Sequence, residues 1–352
     1  MKNLVIHIAG VISTLLLTLP LVTMAAQVGD TAMISINGEA QGTTYHIRYF
    51  DAHNRNFKHS IDSILADFDL CLSLYRPDSE LSAFNRTSHH TFRSPWFYEV
   101  LVKSKEIHEA TDGAFDPTIM PLSEAYGFGN KKNVDPEQVN VDSLLQFIGF
   151  KQIEFNQKEV RSRPGVKLDF NGIAQGHSVD IVGAFLKSRS IDRFMVEIGG
   201  EVICSGTKNG GNGWVTGIEN PLKPQALAAT ATLTNRAMTT AGNYHNHITR
   251  NGITYNHIID PRPGDPHPGD PRPSDRRTGS IEQTFLLSVT VFAKDAITAD
   301  GFDTAFFVMG LEATKTFLKN RKDIDAYMLY TNEEGHLMSY ATDGIKEFIQ
   351  EK

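Results

Sequence analysis

Cysteine is scarce in this chain: among 352 residues only Cys71 and Cys204 occur, which excludes a disulfide scaffold and a cysteine-built zinc cluster. The two could pair in an oxidising compartment, and their separation along the chain says nothing of their distance; two separately buried thiols are the expected arrangement. Basic charge is also short. Lys and Arg number 34 against 41 Asp and Glu, a net charge of −7, so the basic stripe that holds nucleic acid is missing and no nucleic-acid partner is expected. There is no G-x-G-x-x-G, P-loop or H-E-x-x-H pattern, which argues against the usual dinucleotide folds and the helical zinc site. His245 and His247, upstream of His257, raise zinc as a question without supplying its spacing.

With 40% hydrophobic and 21% charged residues, the composition is that of an ordinary globular protein with a sizeable core. Residues 1–26 read as a targeting segment. Lys2 starts it, an apolar run spans Leu4 to Leu21, Pro20 breaks the run, and Thr23, Met24, Ala25 and Ala26 offer small residues for cleavage. An exported protein is expected, periplasmic or at the outer face of the inner membrane. His7, Gly10 and Pro20 suit a spanning helix poorly, and no cysteine follows the run to carry a lipid.

The remainder mixes helical and strand patterns without regular alternation, which predicts an α+β fold of mostly antiparallel sheet with flanking helices. Residues 33–50 read as a hairpin; 59–74, 96–111 and the stretch from Gln175 onward carry apolar residues at helical spacing. Strands are expected over 152–155, 165–170, 194–206, 213–218 and 227–233, with Gly199 and Gly200 marking a bulge or a close approach in the longest.

Four places carry chemistry. The first is LDFNGIAQGHSVD, residues 168–180, where Asp169 is expected to end a strand and Gly172, Ala174 and Gly176 leave the backbone bare before a helix starts. Such a turn presents amides and carbonyls to a phosphate or metal, or simply caps its helix. The second is Ala114-Phe115-Asp116-Pro117, where Asp116 is either a site carboxylate or a turn and cap residue. In the third, His257 and Ile259 share one face of an extended chain and Asp260 points to the other, until Pro261 ends it; a histidine titrating near neutrality suits proton transfer. The fourth is ADGFDTAFFVMG, residues 299–310, which places Asp300, Asp303 and Thr304 on one helix face at i, i+3 and i+4. The following turn is apolar all round, so the helix is expected to be buried. Two adjacent carboxylates there repel unless a cation lies between them, and oxygen donors of this kind suit Mg²⁺ or Ca²⁺.

Eight blocks in order carry a family resemblance: GTTY (42–45), LSLYRPDSELSAFN (72–85), TDGAFDPTIMPL with YGFG (111–129), the 168–180 stretch, VEIGG (196–200), TTAGNY (239–244), HIIDP (257–261) and SVTVFAKDAITADGFDTAFFVMG (288–310). Through these blocks the chain resembles the ApbE family of FAD:protein FMN transferases. The resemblance implies a two-lobed α+β fold, T-fold-like, with FAD in the cleft. It puts the isoalloxazine near Tyr75, Ala114, Phe115 and Asp116, the adenosine end or phosphates near Asp169 and Gln175, and Gln41 and Ile259 in the pocket wall. Mg²⁺ would be held by Asp300, Asp303, Thr304 and the carbonyl of Gly172; His257 and Asp260 match the active-site H-x-x-D-P, either being the base. Such enzymes cut the FAD pyrophosphate, release AMP and join FMN by a phosphoester to a threonine or serine of a target flavoprotein, typically a subunit of a membrane redox complex. A pyrophosphatase using water, or an exported flavin carrier, are the alternatives. Three departures stand out: Gln41 where the family commonly has Met, Gln175 where it often has Lys or Glu, and an added DPHPGDPRPSDRRTG over 265–279. Six prolines from Pro261 to Pro273 make that region stiff and extended, either as a surface insertion or as a lid or recognition arm.

Overall fold

A computed structural model describes residues 32–129, 140–243, 247–250, 253–262, 286–332 and 334–352. The expected targeting segment, His245 and nearly all of the proline-rich region lie outside them. The chain begins with the hairpin β1 (Met33–Ala40) and β2 (Thr43–Phe50), followed by α1 (Lys58–Leu72), α2 (Glu80–Thr87), β3 (His89–Thr91) and α3 (Pro95–Ala110). Next come α4 (Met120–Ala125), α5 (Val141–Leu145), β4 (Ile153–Phe155), β5 (Glu159–Ser162) and α6 (Ala174–Ser188). Six strands follow: β6 (Phe194–Ile198), β7 (Glu201–Ser205), β8 (Trp214–Glu219), β9 (Leu227–Leu233), β10 (Arg236–Gly242) and β11 (His247–Arg250). The chain closes with β12 (Ile253–Asn256), β13 (Leu286–Ala293), α7 (Ala296–Met309), α8 (Leu311–Leu318), β14 (Asp325–Thr331), β15 (Leu337–Ala341) and β16 (Ile349–Glu351).

Eight strands form one sheet in the order β1-β2-β6-β7-β10-β13-β14-β15, with antiparallel pairing throughout. The α+β expectation therefore holds. Strand side chains alternate between faces, and here the two faces meet different partners. Val196 and Ile198 of β6 and Ala237 of β10 pack with Val179, Val182 and Leu186 of α6. Met238, Phe292, Tyr327 and Leu329 instead join Trp214, Ala229 and Leu233 of the three-stranded β16-β9-β8 sheet. The large sheet is thus a middle layer between helices and a smaller sheet. Helix α7 lies against β10, β13, α6 and α3 and buries Asp300 and Asp303 along with Phe302, Ala305, Phe306 and Phe307, as a helix apolar on every side must.

Two strand expectations change. Gly199 and Gly200, both at positive φ (61° and 109°), form the tight turn of a β6–β7 hairpin instead of a bulge in one strand. Residues 165–170 join no sheet. In place of a neighbouring strand, the Asn85 side chain pairs with Leu168: its Oδ1 accepts from the Leu168 amide at 2.7 Å and its Nδ2 donates to the Leu168 carbonyl at 2.8 Å. The next amide, of Asp169, donates to the Pro117 carbonyl at 2.7 Å. The apolar alternation that predicts a strand is real, but one amide side chain does the ladder's work.

Cys71 and Cys204 are both buried and free. Burial pushes the Cys71 thiol up to about 12, so it is inert as a nucleophile.

Candidate active site

A cavity of about 460 Å³ opens where the helices, the hairpin tip and the end of β10 meet. Thirteen of the fourteen residues singled out from sequence line it: Gln41, Tyr75, Ala114, Phe115, Asp116, Asp169, Gly172, Gln175, His257, Ile259, Asp300, Asp303 and Thr304. Asp260 does not. The expected extended chain stops early, since β12 ends at Asn256, and Asp260 is buried with both oxygens engaged by Arg262, Nε to Oδ1 at 2.9 Å and Nη2 to Oδ2 at 2.8 Å.

Each lining group has a local reason for its place. Gln41 (φ 56°) and Gly42 (φ 74°) are the two central residues of the β1–β2 turn, a geometry matching strand twist and needing positive φ at both positions. This turn carries the Gln41 amide to the cavity, where Oε1 accepts from Ser178 Oγ at 3.2 Å and Nε2 has no partner among the described residues. Tyr75 follows α1 and is 65% exposed, so its ring stands at the mouth. Asp116 caps the short turn 117–119: Oδ1 accepts from the Thr118 amide and hydroxyl at 2.8 and 2.6 Å, and Oδ2 accepts from the Phe150 amide at 3.1 Å with His108 Nδ1 at 3.4 Å. Its carboxylate is thereby a cap, and it shapes the wall. Asp169 Oδ1 accepts from the Asn171 amide at 2.8 Å; burial lifts its carboxyl to about 6, aided by the negative field of Glu124. Ile259 packs with Leu122, Tyr126 and Phe128, and the Phe128 ring meets His257 edge-on at 6.4 Å.

The acidic end of the cavity is built by two helices in close approach. Gly176, in the first turn of α6, donates its amide to Asp300 Oδ2 at 2.8 Å. A Cβ on Gly172 would stand 2.8 Å from Thr304 Oγ1, so the bare backbone before α6 faces the α7 hydroxyl directly. Asp180 of α6 accepts from the Ala296 and Ile297 amides at 2.8 Å each, capping α7 from its neighbour. Burial lifts Asp300 to about 7, and burial with the charge of Asp300 lifts Asp303 well above the usual carboxylate range.

One participant escapes sequence reasoning. Glu201, the first residue of β7, lines the same end, and burial together with Asp300 and Asp303 raises its carboxyl strongly. The available signal was a carboxylate directly after two glycines in the apolar run VEIGGEVIC. With Asp116 and Asp169, five carboxyl groups line the cavity, and among the described residues no Lys or Arg lines it. No three His, Cys, Asp or Glu side chains among the described residues converge to hold a metal by themselves. A cation here would draw on other oxygen donors as well, and the Thr304 hydroxyl and the backbone at Gly172 are the ones at hand. That mixed oxygen set fits a hard divalent ion.

A family model described as the ApbE family matches residues 41–328. Among curated proteins, the FAD:protein FMN transferase of Haemophilus influenzae is 30% identical over 94% of this chain and 95% of the relative. That of Vibrio cholerae is 31% identical over 90% and 92%. Among solved structures, the flavin transferase ApbE from Vibrio cholerae aligns with a TM-score of 0.76 at 28% identity, covering 90% of this chain and 99% of that one. The apo flavinyl transferase ApbE of Pseudomonas stutzeri gives 0.75 at 27%, covering 90% and 97%. With the matched model spanning most of its length and the cavity assembled from the matching blocks, this chain belongs to the ApbE family.

Proposed function

We propose that this chain is an FAD:protein FMN transferase that works with Mg²⁺, joins FMN through a phosphoester to a threonine or serine of a target protein, and releases AMP. The observation that carries the reading is the acidity of the cavity: five carboxyl groups line it, with no Lys or Arg among its described lining residues. Burial raises the carboxyl groups at the Asp300–Asp303 end, and a bound cation would favour their ionised form and offer its remaining positive field to a pyrophosphate. The names of the relatives supply the reaction class.

Asp300, Asp303, Thr304 and the Gly172 carbonyl would hold Mg²⁺, which when bound neutralises charge on the phosphates. Tyr75 offers its ring to the flavin at the mouth, and Gln41 offers an amide donor that has no partner among the described residues. The acceptor hydroxyl oxygen bonds to the FMN phosphorus as the bond from that phosphorus to the bridging oxygen breaks, and AMP leaves with that oxygen. His257 takes the hydroxyl proton. Asp260, tied to Arg262, holds the loop behind it. Positioning and electrostatics carry most of such a reaction. The target proposed is a flavin-bearing subunit of a membrane redox complex, met outside the inner membrane, consistent with the sequence of residues 1–26.

Mass spectrometry of a threonine-containing acceptor peptide, incubated with the protein, FAD and Mg²⁺, tests the reading. A Mg²⁺-dependent gain of FMN mass with AMP release is expected. Free FMN and AMP beside an unmodified protein acceptor would favour hydrolysis by water, and FAD bound but intact would favour a carrier.

A further inference from the structure

Glu201 belongs to none of the roles assigned above, yet its position is demanding. It begins β7 immediately after the Gly199-Gly200 turn, pairs with Ile198 across the hairpin, and faces the cavity end where Asp300 and Asp303 stand. Its Oε2 is shut off from solvent and has no hydrogen-bond partner among the described residues. Among the described residues no lysine or arginine lines that cavity. A buried carboxylate oxygen without donor or counter-charge is strongly unfavourable, and packing alone would be better served by an apolar side chain.

Direct ligation alongside Asp300 and Asp303 does not fit, because no three acidic or histidine side chains among the described residues converge on one ion. Mg²⁺, however, retains several waters when it binds proteins. Those waters are strong donors and need acceptors beyond the ligands themselves.

We infer that Glu201 is a positioning residue for the cation, accepting hydrogen bonds from its retained waters through the otherwise unpartnered Oε2. The inference rests on the cation site proposed above. Glu201 adds a third negative charge at the Asp300–Asp303 end and orients the hydrated face of the ion towards the phosphates.

The test is a Mn²⁺ titration of the full chain followed by electron paramagnetic resonance, without FAD, paired with thermal melts with and without metal. Glu201→Gln keeps the shape and removes the charge. It is expected to weaken Mn²⁺ binding about 10- to 100-fold, to melt no lower than wild type without metal, and to recover turnover at high Mg²⁺. Glu201→Asp, which keeps the charge on a shorter stem, is expected to recover part of the lost affinity. Mn²⁺ affinity of the Gln variant within twofold of wild type would overturn the inference while leaving the cation site standing. A metal-free melt well below wild type, with the Asp variant as weak as the Gln variant, would assign Glu201 to packing. A wild-type chain that binds no Mn²⁺ would remove the cation site itself, and this inference with it.

Discussion

The amide of Gly176 donates to Oδ2 of Asp300 at 2.8 Å, joining the first turn of α6 to the acidic face of α7. A side chain at position 176 would collide with the Ala296 carbonyl and come within 2.7 Å of the Asp300 Cβ. The bond exists because the residue is glycine: only a bare backbone lets the helices close to this distance. Asp300 is thereby aimed by a main-chain group that cannot rotate away.

Gly176→Ala is accordingly expected to push α6 and α7 apart, at ~1–3 kcal/mol of stability as for other overpacked cores. It should also reduce FMN transfer at least tenfold by displacing Asp300. A thermal melt and a transfer assay at one Mg²⁺ concentration check both, and an unchanged melting temperature would contradict the contact.

Asn85→Ala removes both partners of the Leu168 backbone. Leaving a donor and an acceptor unpaired costs about 1–3 kcal/mol for each group, so urea unfolding should shift by ~2–6 kcal/mol. Because Leu168 leads into Asp169, the apparent KM for FAD should rise as well. Asn85→Asp, which retains the acceptor and loses the donor, should fall between.

The Asp169 carboxyl is raised to about 6, which sets the sign of a pH effect. The folded state favours its protonated form, so its contribution is full below about pH 4, declines as pH rises, and is lost above about 6. Asp169→Asn, whose Oδ1 can still accept from the Asn171 amide, does not ionise. Relative to wild type it should gain on the order of 1–3 kcal/mol between pH 4 and pH 7.5. Denaturant unfolding at the two pH values measures this, and a difference independent of pH would mean that Asp169 titrates normally.

Tyr75→Ala should weaken FAD binding about two- to tenfold, the range of one aromatic stack. Its ring is 65% exposed, so the melting temperature of the FAD-free protein should hardly move. Fluorescence titration with FAD separates the two effects; a large loss of stability would make Tyr75 a packing residue.

Much of this molecule was legible because the relevant physics is local. Helical spacing announced α1, α3, α6 and α7, and the apolar residues surrounding Asp300 and Asp303 announced that α7 is buried. The Gln41-Gly42 turn required no tertiary information, since a two-residue hairpin turn with positive φ is a property of its own four residues. Ordered blocks then pointed to the family, and all the site residues they marked except Asp260 line one cavity.

Other features depended on side-chain partners that spacing does not identify, some of them distant in the chain. The strand expected at 165–170 failed because Asn85, 83 residues before Leu168, supplies the partner that alternation implied but could not identify. Asp260 left the cavity because Arg262 binds it at close range. Glu201 became part of the site only when β7 was laid beside β10 and beneath α7. By itself the sequence determined which segments are amphipathic and which acids share a helix face, because spacing along the backbone dictates these. Only the tertiary structure decided which carboxyl groups are brought together and desolvated around one cavity, because desolvation and charge balance are set by every element that closes around a group.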